Sequence, residues 1–158
     1  MGTRENFRAV IYHPDLWNPR RAFGHILTHL KDALRQQYEG HAAHARTAQA
    51  AVTNCLGMGA LVAQDKFDLP AITLHLQPGV IWSDQQPPKM PGMFGPDWFR
   101  RIQYRIGERF FIDPLVCPYL NSWRGELGLS PVSRIPRWWN SRSGVVCMFP
   151  EWYAAPQS

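Results

Sequence analysis

The chain has 158 residues, of which 45% are hydrophobic and 18% charged, and its formal net charge is +5. This composition is typical of one folded domain and excludes an intrinsically disordered chain. No apolar run approaches the ~20 residues that span a membrane, and the N-terminus lacks the apolar centre of a signal peptide, so we expect a cytoplasmic protein. No Lys/Arg run has the length of a nucleic-acid-binding arm, and nucleic acid is not an expected partner.

The first predicted element is a helix over residues 15–39. Asp15 is a suitable N-cap, Gly40 is a stop signal, and apolar residues recur between them at helical spacing. These apolar positions are Leu16, Phe23, Ile26, Leu27, Leu30 and Leu34. Residues 41–48 are predicted to be a polar connection.

A strand–helix–strand unit is predicted next. Residues 48–55 are short, apolar and β-capable, residues 56–67 have a helical pattern, and residues 71–76 form a second apolar strand. One side of the helix carries small residues that would let it approach a sheet closely, namely Gly57, Gly59 and Ala60. Because such a unit closes by a right-handed crossover, the two strands are predicted to be parallel.

The second half of the chain is rich in proline. A long loop is predicted over residues 78–96, and a helical pattern resumes over residues 97–128. Pro114 and Pro118 should divide that pattern into two helices. A basic aromatic loop then leads to a third predicted strand over residues 144–149, which completes an α/β order of elements.

A basic face is predicted on the first of these helices. Arg101, Arg105 and Arg109 are spaced four residues apart and share one side. The neighbouring side is apolar and comprises Trp98, Ile102, Ile106 and Phe110. One interpretation is an exposed basic face over a core stripe. The other is docking to an anionic membrane, to which Trp138 and Trp139 of the following loop would also contribute.

Histidine and cysteine patterns give no metal site. His25 and His29 lie four residues apart on one predicted helix, but the Glu of an H-E-x-x-H motif is absent, so a surface pair is the favoured interpretation. Cys55, Cys117 and Cys147 include no C-x-x-C pair, which indicates buried free thiols of a reducing compartment. We expect neither a metal nor a cofactor in this chain.

Three stretches together resemble a known family. The central one is LVAQDKFDLPAITLHLQPGVIWSD, residues 61–84; Asp15-Leu16-Trp17 with Pro19-Arg20-Arg21 precede it, and GVVCMFPEWYAAPQ, residues 144–157, follows it. As an ordered set they resemble the acceptor half of the GT-B glycosyltransferases related to sterol glucosyltransferases, macrolide glycosyltransferases and rhamnosyltransferases.

The resemblance implies an α/β fold, namely a partial Rossmann-like parallel sheet with flanking helices that forms the incomplete N-terminal half of a GT-B fold. Residues 1–158 would form one partial acceptor-binding domain, without the family's first strands and without its C-terminal nucleotide-sugar domain. The family's general base, a His after the first strand, has no counterpart here, so no catalytic residue is expected in this chain.

The resemblance also implies where an acceptor would bind. Open α/β sheets place ligands at the carboxyl ends of their strands. The residues expected there are Asn54, His75, Gln77, Pro78, Trp82 and Ser83. Some relatives have an Asp that orients the base where this chain has Asn54. The alternatives are a turn-forming Asn54, a core or cleft-wall His75 and a backbone-capping Gln77.

The function implied by the resemblance is acceptor binding within an enzyme that moves a hexose from a nucleotide-sugar to a hydroxyl acceptor, with this chain inactive alone. The alternative is a stand-alone acceptor- or lipid-binding module, or one partner of a split glycosyltransferase. The expected partners are a hydroxyl-bearing small molecule or lipid, a separate donor domain, and a peripheral contact with the inner membrane surface.

Overall fold

In a computed structural model, the protein is described over residues 4–18, 21–81 and 93–154. The α-helices of these ranges are α1 Arg4–Ile11, α2 Ala22–His44, α3 Met58–Phe67, α4 Asp97–Gly107, α5 Asp113–Glu126 and α6 Ile135–Trp138. A π-helical turn, Glu108–Ile112, joins α4 to α5, and short 3₁₀ turns occupy Pro14–Trp17 and Pro78–Val80. The strands are β1 Ala51–Asn54, β2 Ala71–His75 and β3 Val145–Cys147.

The three strands form one parallel sheet in the order β1-β2-β3. Ala51 is opposite Ala71, and Leu74 is opposite Val146. The predicted parallel pairing of the first two strands is therefore confirmed, and so is the α/β class with a small open sheet and flanking helices.

The main core lies among the helices rather than between the helices and the sheet. Helix α3 packs on β1 and β2, α2 packs on α3, and α5 packs on α2. The buried residues of this core are Leu30, Leu34, Met58, Val62, Val116, Leu120, Trp123 and Ile135. A second, smaller cluster joins α3 to the sheet through Ala51, Leu61, Leu69 and Ala71. Of the helices in the described ranges, none is both long and apolar enough to cross a membrane.

The other face of the sheet is partly open. Val52 and Val146 are 59% and 45% exposed, and Ile72 and Leu74 between them are half-buried. Parallel sheets are normally covered on both faces. An apolar sheet surface is thus available to a further layer.

The first long helix lies further along the chain than predicted. It begins at Ala22 rather than at residue 15, and it continues through Gly40 to His44, so the predicted connection over residues 41–48 was wrong in its first half. A glycine inside a helix costs only about 1 kcal/mol, and burial of Leu30 and Leu34 on this helix offsets a cost of that size.

The predicted division of the 97–128 helical pattern by proline was only partly right. Pro118 lies inside α5, and α4 runs into α5 without an intervening loop. The interruption is the π-helical turn that ends just before Asp113, while Pro114 occupies the first turn of α5. A wider turn shifts the backbone hydrogen-bond pattern at that point, and proline is tolerated in the first turn of a helix.

A glycine in α3 sets the distance between α3 and α2. A Cβ atom at Gly59 would lie 2.7 Å from the Cβ atom of Gln37 and 2.8 Å from the backbone nitrogen of Tyr38. The small residues were predicted to let this helix approach the sheet. Gly57 does face β1, against the Thr53 hydroxyl, whereas Gly59 faces α2.

Replacing Gly59 by alanine should therefore force the two helices apart. We expect G59A to lower the free energy of unfolding by about 2 kcal/mol or more, as overpacking in a close contact does. The matched control is G40A in α2, where an added Cβ meets no atom within 4 Å; it should be neutral or stabilising by up to about 1 kcal/mol. Urea denaturation measures both, and equal stability of the two variants would contradict the close approach.

Candidate functional site at the carboxyl edge of the sheet

The three parallel strands end at one edge of the sheet, with Asn54, His75 and Cys147 as their last residues. His75 is directly opposite Cys147, whereas β1 ends one residue earlier, with Asn54 opposite Leu74. Acceptor contacts were predicted at this edge.

Asn54 is exposed and shapes the turn that follows β1. Its Oδ1 atom accepts a hydrogen bond from the backbone N–H of Leu56 at 2.9 Å. The neighbouring Thr53 hydroxyl donates to the carbonyl of Gly57 at 2.8 Å, which closes the same turn. The Asn54 oxygen thus has the turn-forming role that was the alternative interpretation. The amide nitrogen of Asn54 takes no part in this turn and can donate to another group.

His75 lies behind the edge, on the helical side of the sheet, and is only 1% exposed. Its Nε2 atom is 2.6 Å from Oδ1 of Asn140. Because a carbonyl oxygen can only accept, Nε2 carries the hydrogen of this bond. The other ring nitrogen, Nδ1, is buried and has no hydrogen-bond partner within the described ranges. This geometry corresponds to the core or cleft-wall alternative.

Gln77 and Pro78 lie directly after β2. Gln77 is exposed and its side chain makes no capping hydrogen bond, while Pro78 is half-buried and begins the 3₁₀ turn. The carbonyl of Val80 in this turn accepts a hydrogen bond from Nε1 of Trp139 at 3.1 Å. The turn is thereby fixed to α6. Trp82 and Ser83 lie outside the residues that the structure describes.

A buried polar network behind the edge was not predicted. The Thr73 hydroxyl donates to the carbonyl of Trp139 at 3.0 Å and accepts from the backbone N–H of Ser141 at 3.0 Å. The Ser141 hydroxyl in turn lies 3.0 Å from Oε1 of Gln64. The only sequence signal was that Asn140 and Ser141 follow a Trp pair in a loop, and nothing in that pattern pairs them with β2.

Two buried carboxylates hold α6 in place. The Asp113 side chain accepts the backbone N–H groups of Arg134 and Ile135, each at 2.9 Å. Arg134 has the left-handed backbone conformation with φ of 56°, and its Nε atom donates to Glu108 at 3.0 Å. Asp113 therefore supplies the N-terminal capping that α6 otherwise lacks.

The residues predicted to face a membrane fall into two groups. Trp138 and Trp139 are half-buried and pack against both hydrophobic clusters. Arg105 and Arg109 are exposed, and Arg101 is half-buried. The tryptophans are thus held by interior contacts, whereas the arginines lie on α4 and on the π-helical turn.

Thiol and metal chemistry gain no support at this edge. Cys55 and Cys147 are both free thiols; Cys55 is half-buried and Cys147 is exposed. The predicted burial of the thiols was therefore wrong for Cys147. Partial desolvation raises the pKa of both thiols above the ordinary value, which disfavours the nucleophilic thiolate. Among the described residues, no group of three or more His, Cys, Asp or Glu side chains is arranged to hold a metal ion.

Comparison with protein-family models and with curated proteins finds no match for this chain.

The Asp113 carboxylate should be needed for stability because it is buried and satisfies two backbone N–H groups. In D113N one of the two acceptors becomes an amide nitrogen, so we expect the free energy of unfolding to fall by about 2–3 kcal/mol. Hydrogen exchange of Trp139 Nε1–H should also become faster, since the hydrogen bond to Val80 depends on α6. D68N, at an exposed ion pair with Arg142, is the control and should leave both quantities nearly unchanged. Unchanged exchange in D113N would contradict the anchoring role.

Proposed function

We propose that this chain forms the acceptor-binding wall of a glycosyltransferase that moves a hexose from a nucleotide-sugar to a hydroxyl acceptor, and that it works together with a separate donor-binding domain. The proposal has its origin in the sequence resemblance. The observation that carries it further is the parallel order β1-β2-β3, which brings three strand ends and their loops to one edge.

The edge has groups that can orient a hydroxyl group. Gln77 is exposed directly after β2, and its amide can both donate and accept. Asn54 uses its oxygen in the turn after β1 and retains its amide nitrogen. The Pro78–Val80 turn is held by Trp139, so its shape does not depend on a ligand. Preformed sites of this kind lose little entropy on binding.

The same edge supports the expectation that the chain is inactive alone. General-base catalysis requires a group that takes the proton from the acceptor hydroxyl. Asn54 and Gln77 are neutral amides, and His75 is buried behind the edge with Nε2 bonded to Asn140. None of these three residues is placed to take that proton, so in this proposal the base and the nucleotide-sugar site lie elsewhere in the enzyme.

The split-enzyme alternative draws on a separate observation, the open face of the sheet. Val52 and Val146 expose apolar side chains where parallel sheets are usually covered. Among the described strands, β1 is also an edge strand, since it pairs with β2 alone. A partner that adds a strand beside β1 and a helix over Val52 would pair the edge strand and cover the apolar face of the sheet.

Acceptor binding by the isolated chain tests the proposal. Purified chain is titrated with sterol, phenolic and lipid-linked hydroxyl acceptors, with tryptophan fluorescence and thermal shift as readouts. Loss of one hydrogen bond in Q77A should raise the dissociation constant roughly three- to tenfold. The control is Q49A, because Gln49 is also exposed but precedes β1 at the opposite edge of the sheet; its affinity should equal that of the wild type.

A turnover assay tests the second half of the proposal. The pure chain with UDP- or dTDP-hexose and the same acceptors should form no glycoside. Robust transfer would contradict the separate donor domain. Failure to bind any acceptor, or equal weakening in Q77A and Q49A, would contradict the acceptor-binding edge.

A further inference from the structure

The helical run from α4 into α5 exposes a row of large apolar side chains. Trp98 is 62% exposed and Phe110 is 68% exposed. The members of this row, here called the apolar stripe, are the exposed residues Trp98, Ile102, Ile106 and Phe110. One interpretation of the sequence made them a core stripe, and their exposure shows that this interpretation was wrong. Neighbouring exposed apolar side chains of this kind are a common feature of interaction surfaces.

A basic row runs beside the apolar stripe. Both carboxylates of residues 97–112 are already paired, Asp97 with Arg100 and the buried Glu108 with Arg134. Arg105 and Arg109 are exposed, and within the described ranges neither forms an ion pair. The surface thus combines an apolar stripe with uncompensated positive charge.

We propose that α4 and the π-helical turn lie on an anionic lipid surface, with the apolar stripe inserted at the boundary of the acyl chains and Arg105 and Arg109 against the headgroups. A helix with aromatic and aliphatic side chains on one face, arginines on the next and low overall hydrophobicity is the usual design of an interfacial helix. Tryptophan is favoured at the level of the headgroups. The inference does not depend on the proposed glycosyltransferase function.

Charge decides between a lipid surface and a second copy of this chain. In a two-fold dimer the same patch lies on both sides of the interface, so the exposed arginines of both copies would share one interface. Like charges brought together across an interface cost free energy, whereas anionic headgroups are complementary to them. The chain as a whole also carries a net charge of +5.

Vesicle co-sedimentation at low salt tests the inference on the full chain. Vesicles of phosphatidylcholine with about one-third phosphatidylserine should pellet the protein, and pure phosphatidylcholine vesicles should pellet far less. W98S/F110S should bind at least tenfold more weakly because the inserted area is lost. R105Q/R109Q should bind roughly 30-fold more weakly, at about fivefold for each basic residue.

Matched controls separate the surface from general effects. W152S removes a tryptophan that is 86% exposed and lies after β3, and R8Q/R46Q removes two exposed charges, one on α1 and one just after α2; both should bind like the wild type. Quenching of wild-type tryptophan emission by brominated lipid requires no variant and should accompany binding. The inference would be overturned if wild-type protein stayed in the supernatant with anionic vesicles, or if W98S/F110S bound as well as the wild type. It would also be overturned if the wild type formed a dimer that this variant does not form.

Discussion

The carboxyl edge of the sheet depends on two buried carboxylates that lie outside the sheet. Asp113 accepts two backbone N–H groups at the start of α6, and Glu108 pairs with Arg134, the residue whose left-handed backbone turns the chain into that helix. A left-handed residue other than glycine costs about 1 kcal/mol, and charge-assisted hydrogen bonds to buried backbone groups more than offset such a cost. Helix α6 in turn places Trp139 on the turn after β2 and leads to Asn140 beside His75. The geometry of the edge is therefore set at the π-helical junction of α4 and α5.

The unequal covering of the sheet follows from where the core lies. Helices α2, α3 and α5 supply seven of the eight buried residues of the main core, and the close contact at Gly59 makes that packing possible. The short strands contribute little buried area of their own, since their inner face carries Ala51, Ala71 and Thr73. The helices can thus hold the sheet in place without a second layer. An outer layer would add to stability, but the inner one does not require it.

Much of the fold could be predicted because local patterns agree with it. The strand–helix–strand unit follows from apolar runs and a crossover rule, which need no distant contact. The limits of α2 could not be predicted, because burial of Leu34 outweighs the weak stop signal of Gly40. The exposure of the apolar stripe could not be predicted either. Amphipathic spacing shows that a helix has an apolar side, but it does not show whether that side faces the core or the surroundings.

The candidate site was predictable in place but not in detail. Strand ends mark the edge, so the position of Asn54 and Gln77 in the fold could be predicted, whereas their contact with an acceptor stays a prediction. The partners of His75 and Thr73 come from residues 139–141, more than sixty positions away, and no local pattern encodes such a pairing.

The chemistry that the edge can support follows from the charge states of its groups. Neutral amides such as Gln77 can hold a hydroxyl group in one orientation, but they cannot take its proton. Thiols whose pKa is raised stay protonated at neutral pH and cannot accept a further proton, which excludes Cys55 and Cys147 as the base. His75 is the remaining group with a basic nitrogen, and a ring that is 1% exposed cannot reach a ligand in front of the sheet. Among these groups none is placed to take the proton of a hydroxyl acceptor, so for the proposed transfer Asn54 and Gln77 would contribute binding and orientation, and another group would supply the base.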